Sequence, residues 1–262
     1  MHDLQKVSPA PCAVHSSERR GLMITLRKNT ERRHINSGKH DSWLTFYHQE
    51  PPHPPTDAFG VLTAFNEIRL PPGGVSAPDT TEEAEILTYA YQGALAQEDS
   101  TGDSGVVHAG EFQRMIIGRG IRHKETNPSL TDWAHVFRIY LRPSEVGLAC
   151  AHEQKRFPGA QRHNVLCVVA SPDGRKGSLR ILQDAVVYSS IIDPGHHLIH
   201  ELLPGRSAWV HVIDGEATLH DIILTQGDGA GVTIEPSVSV TAQENTEMLL
   251  VDLPENPNAS GP

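Results

Sequence analysis

The chain has 262 residues, 22 of them basic and 32 acidic, for a formal net charge of −10. That balance disfavours attraction to phosphate backbones and anionic lipid, which sets aside direct nucleic-acid binding and a membrane-surface role. Its three cysteines, Cys12, Cys150 and Cys167, lie far apart with no C-x-x-C spacing, and point to reduced thiols in a cytoplasmic protein.

In chain order, residues 1–22 show no hydrophobic periodicity and are expected to be a disordered extension or the product of a misassigned start codon. No apolar run approaches the roughly 18 to 20 residues of a membrane-spanning helix, and the start lacks the apolar stretch of a secretory leader. Met23 opens a first strand, Ile24 to Arg27. Short β-rich runs then recur at 61–65, 86–91, 105–108 and 134–141, and again at 165–170, 179–182, 185–188, 209–213 and 248–251. Clusters such as Pro71-Pro72-Gly73-Gly74 and Pro172-Asp173-Gly174 divide them, the grammar of an all-β sandwich or barrel.

The same order of turns occurs twice. Leu70-Pro71-Pro72-Gly73, then Tyr91-Gln92-Gly93-Ala94, then Ala109-Gly110 is echoed by Leu203-Pro204-Gly205, Ile213-Asp214-Gly215-Glu216 and Gln226-Gly227. Two tandem β-barrels of the cupin type, with few short helices, fit that echo. The expected division is an N-terminal barrel over 23–145, a connecting segment over 146–158, a C-terminal barrel over 159–254 and a disordered tail over 255–262.

The densest chemistry lies in the segment from Gly110 to Glu125. If it is extended, as its apolar residues and glycines suggest, His123 and Glu125 leave one face of a strand and point a nitrogen and an oxygen donor into one cavity. The run from Asp79 to Glu83 has two readings, a solvated acidic turn or a donor set in which Asp79, Thr81 and Glu83 share strand parity. His196, His197 and His200, with His211 and His220 on later strands, lack a carboxylate at ligand spacing and read as surface or packing residues.

Six stretches together resemble the pirin family, the bicupins that include bacterial quercetin 2,3-dioxygenases. They are His40 to Leu44 with Tyr47 and His48; Phe65-Asn66-Glu67 leading into the Pro-Pro-Gly turn; Glu85 to Tyr89 with Gly93; Gly110 through Glu125; Glu153 to Pro158; and Gln183-Asp184 with Pro204 to Val210. They span roughly residues 24 to 253 in the order the family shows. Trp43, Tyr47 and His48 read as packing at a barrel lip.

The resemblance implies one divalent metal in the first barrel, held by a His-x-His pair and a later His-x-Glu pair. The later pair matches His123 and Glu125. The two earlier histidines fall on Asp79 and Thr81, and no histidine occurs between His53 and His108. Asp79, Thr81, His123 and Glu125 are therefore the candidate metal positions, with weakened affinity and a preference moved toward manganese, iron(II) or magnesium, since a carboxylate is harder than imidazole and a hydroxyl is a weak ligand. If the site works as in quercetinases, a metal (Fe, Mn, Ni, Cu and Zn all remain open) binds a flavonol-like substrate and Glu125 is the catalytic base. If the metal is lost, the resemblance implies a non-catalytic or regulatory bicupin with a protein partner.

Overall fold

The computed structural model describes residues 23–38, 40–46, 58–76, 84–100, 102, 104–117, 123–145 and 151–255, and strands dominate them. The first half runs β1 (Met23–Arg27), β2 (Arg33–Asn36), β3 (Asp41–Leu44), β4 (Leu62–Leu70), β5 (Ala84–Gln92), β6 (Ala94–Asp99), β7 (Ser104–His108), β8 (Glu111–Ile117), β9 (His123–Thr126), β10 (Ala134–Leu141) and β11 (Ala151–Arg156). One short helix, α1 (Gly159–Arg162), follows. The second half runs β12 (Cys167–Ser171), β13 (Leu179–Arg180), β14 (Val186–Ile192), β15 (His197–Glu201), β16 (Arg206–Asp214), β17 (Glu216–Leu219), β18 (Ile222–Thr225), β19 (Gly229–Thr233), β20 (Ser237–Ala242) and β21 (Thr246–Pro254). The chain is all-β and built as two cupin-type barrels, as its turn pattern suggests.

Each barrel pairs a seven-stranded sheet with a smaller one. In the first, the order β11-β8-β5-β10-β4-β3-β2 lies over the three-stranded β7-β6-β9. In the second, β1-β19-β16-β21-β14-β12-β13 lies over β15-β20-β17-β18. Two segments sit differently from the expected division. Strand β1 pairs with β19 of the second barrel, from Met23 opposite Thr233 to Arg27 opposite Gly229. Strand β11, read as connecting chain, pairs with β8 and forms an edge of the first barrel's large sheet. Both are edge strands, and the side chains of β11 are exposed throughout, so its sequence carries no apolar alternation.

The two large sheets pack against each other. Every residue of β10 is buried, because one face looks into its own barrel and the other meets the second barrel, where a half-exposed strand would alternate. The shared core between the barrels holds Phe65, Leu87, Phe112 and Phe137 from the first, and Trp209, Leu249, Val251 and Leu253 from the second. Burying each such side chain contributes about 1.5–3 kcal/mol. Polar clamps fix the same interface. The Glu85 carboxylate accepts from Arg114 Nε at 2.9 Å and from the backbone N–H groups of Leu182 and Gln183 at 2.9 and 3.1 Å. Arg162 Nη1 donates to Glu247 Oε1 at 2.6 Å and to Tyr89 Oη at 3.1 Å, and the Tyr89 hydroxyl also donates to Glu247.

The internal echo has a physical basis at two glycines. Gly93 (φ +69°) and Gly215 (φ +87°) each turn the chain through the left-handed region, where L side chains are strained. At each, a Cβ would also strike a neighbouring carbonyl oxygen, that of Trp133 at 2.4 Å or of Asn245 at 2.3 Å. The same turn solves the same steric problem in both barrels.

Candidate functional site

The interior of the first barrel is apolar at both ends and polar between. One cluster joins Ile68, Leu70, Ala90, Leu95, Val107, Ala134 and Val136; another joins Ala84, Ile86, Met115 and Tyr140. Between them, the strand register sets Asn66 on β4 and Thr88 on β5 on either side of Arg138 on β10, with Gln113 on β8 opposite Thr88. Thr88, Gln113 and Arg138 are buried. On the small sheet, β9 pairs with β6 so that Glu125 lies opposite Gln97 and His123 opposite Asp99.

Glu125 and Arg138 form a buried ion pair, each side chain less than a tenth exposed. Ser76 Oγ donates to Glu125 Oε2 at 3.1 Å, and the Ser76 N–H donates to the Glu125 carbonyl at 3.0 Å. Arg138 Nη1 also reaches Tyr140 Oη at 3.4 Å. Around this pair, Asn66 Oδ1, Gln97 Oε1 and Gln113 Nε2 are buried without a hydrogen-bond partner among the described residues. Unmatched polar atoms in an interior mark space that suits water or a polar ligand better than packing.

Of the residues singled out in the sequence, Glu125 is buried in the first barrel and His123 lies on the same strand, with β9 extended as the two-residue spacing requires. Asp79, Thr81 and Glu83 lie outside the described residues, as does the side chain of His123. Among the described residues, no three His, Cys, Asp or Glu side chains come together as a metal site. The described part of the site holds one placed donor, the buried Glu125 carboxylate. That carboxylate already has a guanidinium as counter-charge, with which any cation bound at Glu125 would have to compete.

Arg138 was not singled out in the sequence, although a signal existed. It is the one formally charged side chain in the run from Ala134 to Leu141, and a charge inside a strand buried on both faces requires a partner.

The second histidine set does not converge. His197 Nε2 meets Ser239 Oγ at 2.8 Å, and His200 Nε2 meets Asp252 Oδ2 at 2.8 Å with its ring 4.8 Å from Tyr188. His211 lies fully buried in the core between the barrels, 4.1 Å from the Phe65 ring. Burial and the nearby Arg32 charge press its pKa well below the ordinary value, so it is neutral. Cys167 is a free, half-buried thiol; Cys12 and Cys150 lie outside the described residues.

A second polar cluster lies on the outer side of the first barrel. The buried Glu67 carboxylate accepts from Arg32 Nη1 at 2.7 Å and Arg69 Nη2 at 2.9 Å, and meets His135 Nε2 at 2.8 Å. Burial alone would raise this carboxyl, but the hydrogen bond from His135 and the Arg32 charge outweigh it and hold the pKa at about 2. At the other end burial lowers the Arg32 pKa, so the pair's net worth is smaller than the Glu67 shift alone implies. Trp43, expected as lip packing, stacks on His34 with ring centroids 4.5 Å apart and carries Arg69 over its ring at 5.0 Å. Tyr47 and His48 lie outside the described residues.

Comparison with known proteins gives a consistent result. Residues 30–141 match the profile described as Pirin, and residues 168–253 match the quercetinase C-terminal cupin domain. The quercetin 2,3-dioxygenase of Escherichia coli is 36% identical over 232 residues, 88% of this chain and 99% of that protein. A pirin-like protein of Caulobacter vibrioides is 30% identical over 221 residues, 83% of this chain and 92% of its own length. The crystal structure of the bacterial pirin YhhW from Escherichia coli in complex with nickel(II) matches with a TM-score of 0.82 at 35% identity, covering 89% of this chain and 100% of that one.

Proposed function

Because this chain belongs to the pirin family of bicupins, we propose that it is a member whose first-barrel metal site is weakened or lost, and that it acts in the cytoplasm as a non-catalytic or regulatory binding protein. The observation that carries this reading is the ion pair between Glu125 and Arg138. Glu125 is the carboxylate a metal would need and the base a dioxygenase would use. Here Arg138, on a strand of the barrel's other sheet, supplies its counter-charge. The substitutions at Asp79 and Thr81 act in the same direction, since two imidazole donors are replaced by a harder carboxylate and a weakly coordinating hydroxyl.

A second reading is favoured by the relatives. One is named a quercetin 2,3-dioxygenase, and YhhW was crystallised with nickel(II). On that reading His123, Glu125 and Asp79 hold a divalent metal, a flavonol-like molecule is the substrate, and the Arg138 side chain must withdraw from Glu125.

Oxygen uptake with quercetin, measured with and without added Ni, Mn, Fe, Cu or Zn, separates the two. The proposed reading expects none from the parent protein, and metal uptake by a variant carrying Asp79→His, Thr81→His and Arg138→Gln together. Metal-dependent uptake of oxygen by the parent overturns it.

A further inference from the structure

A cleft of about 520 Å³ opens where the two barrels meet, away from the interior of the first barrel and lined by both halves of the chain. Its first-barrel wall carries Trp43, Arg69, Tyr91 and Trp133, and its second-barrel wall carries Asp214. The volume lies within the range of small-molecule sites, roughly 300–1,000 Å³. We propose that this cleft binds a hydroxylated aromatic carboxylate: a planar ring between Tyr91 and Trp133, its carboxylate on Arg69, and its hydroxyl donating to Asp214.

Three features carry the assignment. The first is how Arg69 is held. Its Nη2 is fixed by Glu67 at 2.9 Å, its guanidinium rests over Trp43, and its Nε lies 3.5 Å from His135 Nε2, the nitrogen that donates to Glu67. The remaining nitrogen, Nη1, has no partner among the described residues, and the side chain is 39% exposed. A guanidinium held in place with one edge free suits a carboxylate, and the ordering cost has been met within the fold.

The second is the buried group behind it. Arg32, Glu67 and His135 are all buried, and charges so placed are expensive unless matched. Two guanidiniums share one carboxylate, so Arg32, Glu67 and Arg69 together keep one positive charge.

The third is the aromatic wall. Trp133 is 53% exposed, an unusual position for so large an apolar side chain, and Tyr91 is set edge-on to His135 with ring centroids 5.2 Å apart. The Tyr91 hydroxyl donates to Asp214 Oδ2 at 3.1 Å and Gln226 Nε2 donates to Oδ1 at 3.1 Å, which fixes that carboxylate while leaving it lone pairs to accept a ligand hydroxyl. Asp41, also in the lining, is engaged by His34 and Asn36. With acidic groups on its walls, the cleft selects against a plain polyanion and for an acid that also donates.

The proposal does not depend on the metal state of the first barrel, so the test is run in EDTA and again with added nickel(II). The probe is 6-hydroxy-2-naphthoate, titrated by calorimetry against the full chain. The expected result is saturable binding, the same in both buffers, weakened about tenfold or more by Arg69→Gln and by Trp133→Ala. Asp214→Asn weakens the hydroxylated probe while leaving 2-naphthoate unchanged. Trp133→Ala removes an exposed side chain, and so tests the site even if Arg69→Gln disturbs Glu67. No saturable binding by the parent, equal binding of the methyl ester, or undiminished binding by Trp133→Ala overturns the proposal; binding seen only with nickel(II) moves the ligand to the first barrel and overturns it too.

Discussion

Arg138 on β10 and Glu125 on β9 join the large and small sheets of the first barrel through a buried ion pair. The pair sits in the polar middle layer, between two apolar clusters, where the resemblance to pirins leads one to expect a metal. The counter-charge of Glu125 there is a guanidinium of the protein itself. A metal is exchangeable; this counter-charge is covalently part of the chain.

Arg138→Gln leaves Glu125 buried without its cation. Removing one partner of a buried pair costs about 3–5 kcal/mol, so the variant unfolds at lower denaturant concentration than the parent. Adding nickel(II) or manganese(II) raises its melting temperature more than that of the parent, because a metal then supplies the missing charge. Denaturant and thermal melts with and without metal check this, and a variant as stable as the parent contradicts it.

Glu67 makes the fold sensitive to acid. Its ordinary value of 4.5 is held down at about 2 in the folded protein. A carboxyl depressed in this way contributes stability that is present above the unfolded value and is lost as pH falls through the folded one. The window therefore runs from about pH 4.5 down to about 2. A difference of this size corresponds to about 3 kcal/mol at most, reduced by the burial of Arg32. Denaturant unfolding of the parent and Glu67→Gln at pH 7 and across that window should show the gap between them narrowing as pH falls.

Gly93→Ala and Gly215→Ala should each destabilise more than Gly110→Ala. All three glycines have positive φ, but a Cβ at 93 or 215 also meets a carbonyl oxygen, whereas at 110 nothing lies within 4 Å. The left-handed conformation costs an alanine about 1 kcal/mol or more, and the collision adds to it. Equal melting temperatures for Gly93→Ala and Gly110→Ala would count against the close approach.

Much of the fold could be read from the sequence because its information is local. Apolar runs such as Ile86 to Tyr91 and Trp209 to Ile213 became strands β5 and β16, and the paired glycine turns marked the two barrels. Two strands that escaped notice, β2 and β11, are exposed edges with no apolar alternation. The misplacement of β1 has another cause: pairing with β19, some two hundred residues away, leaves no trace in a segment of five residues. At the site, Glu125 was legible through its spacing from His123. Its partner was not, since nothing local says that a lone arginine in β10 faces a carboxylate on another sheet. The Glu67 cluster was hidden for the same reason, being assembled from two strands, β4 and β10, and the turn before β2.

Elemental analysis of the native protein, purified without chelator, tests the central claim most directly. The account predicts no stoichiometric Mn, Fe, Ni, Cu or Zn, with Glu125 held by Arg138. One equivalent of any of these metals, lost on substituting Glu125, would contradict it.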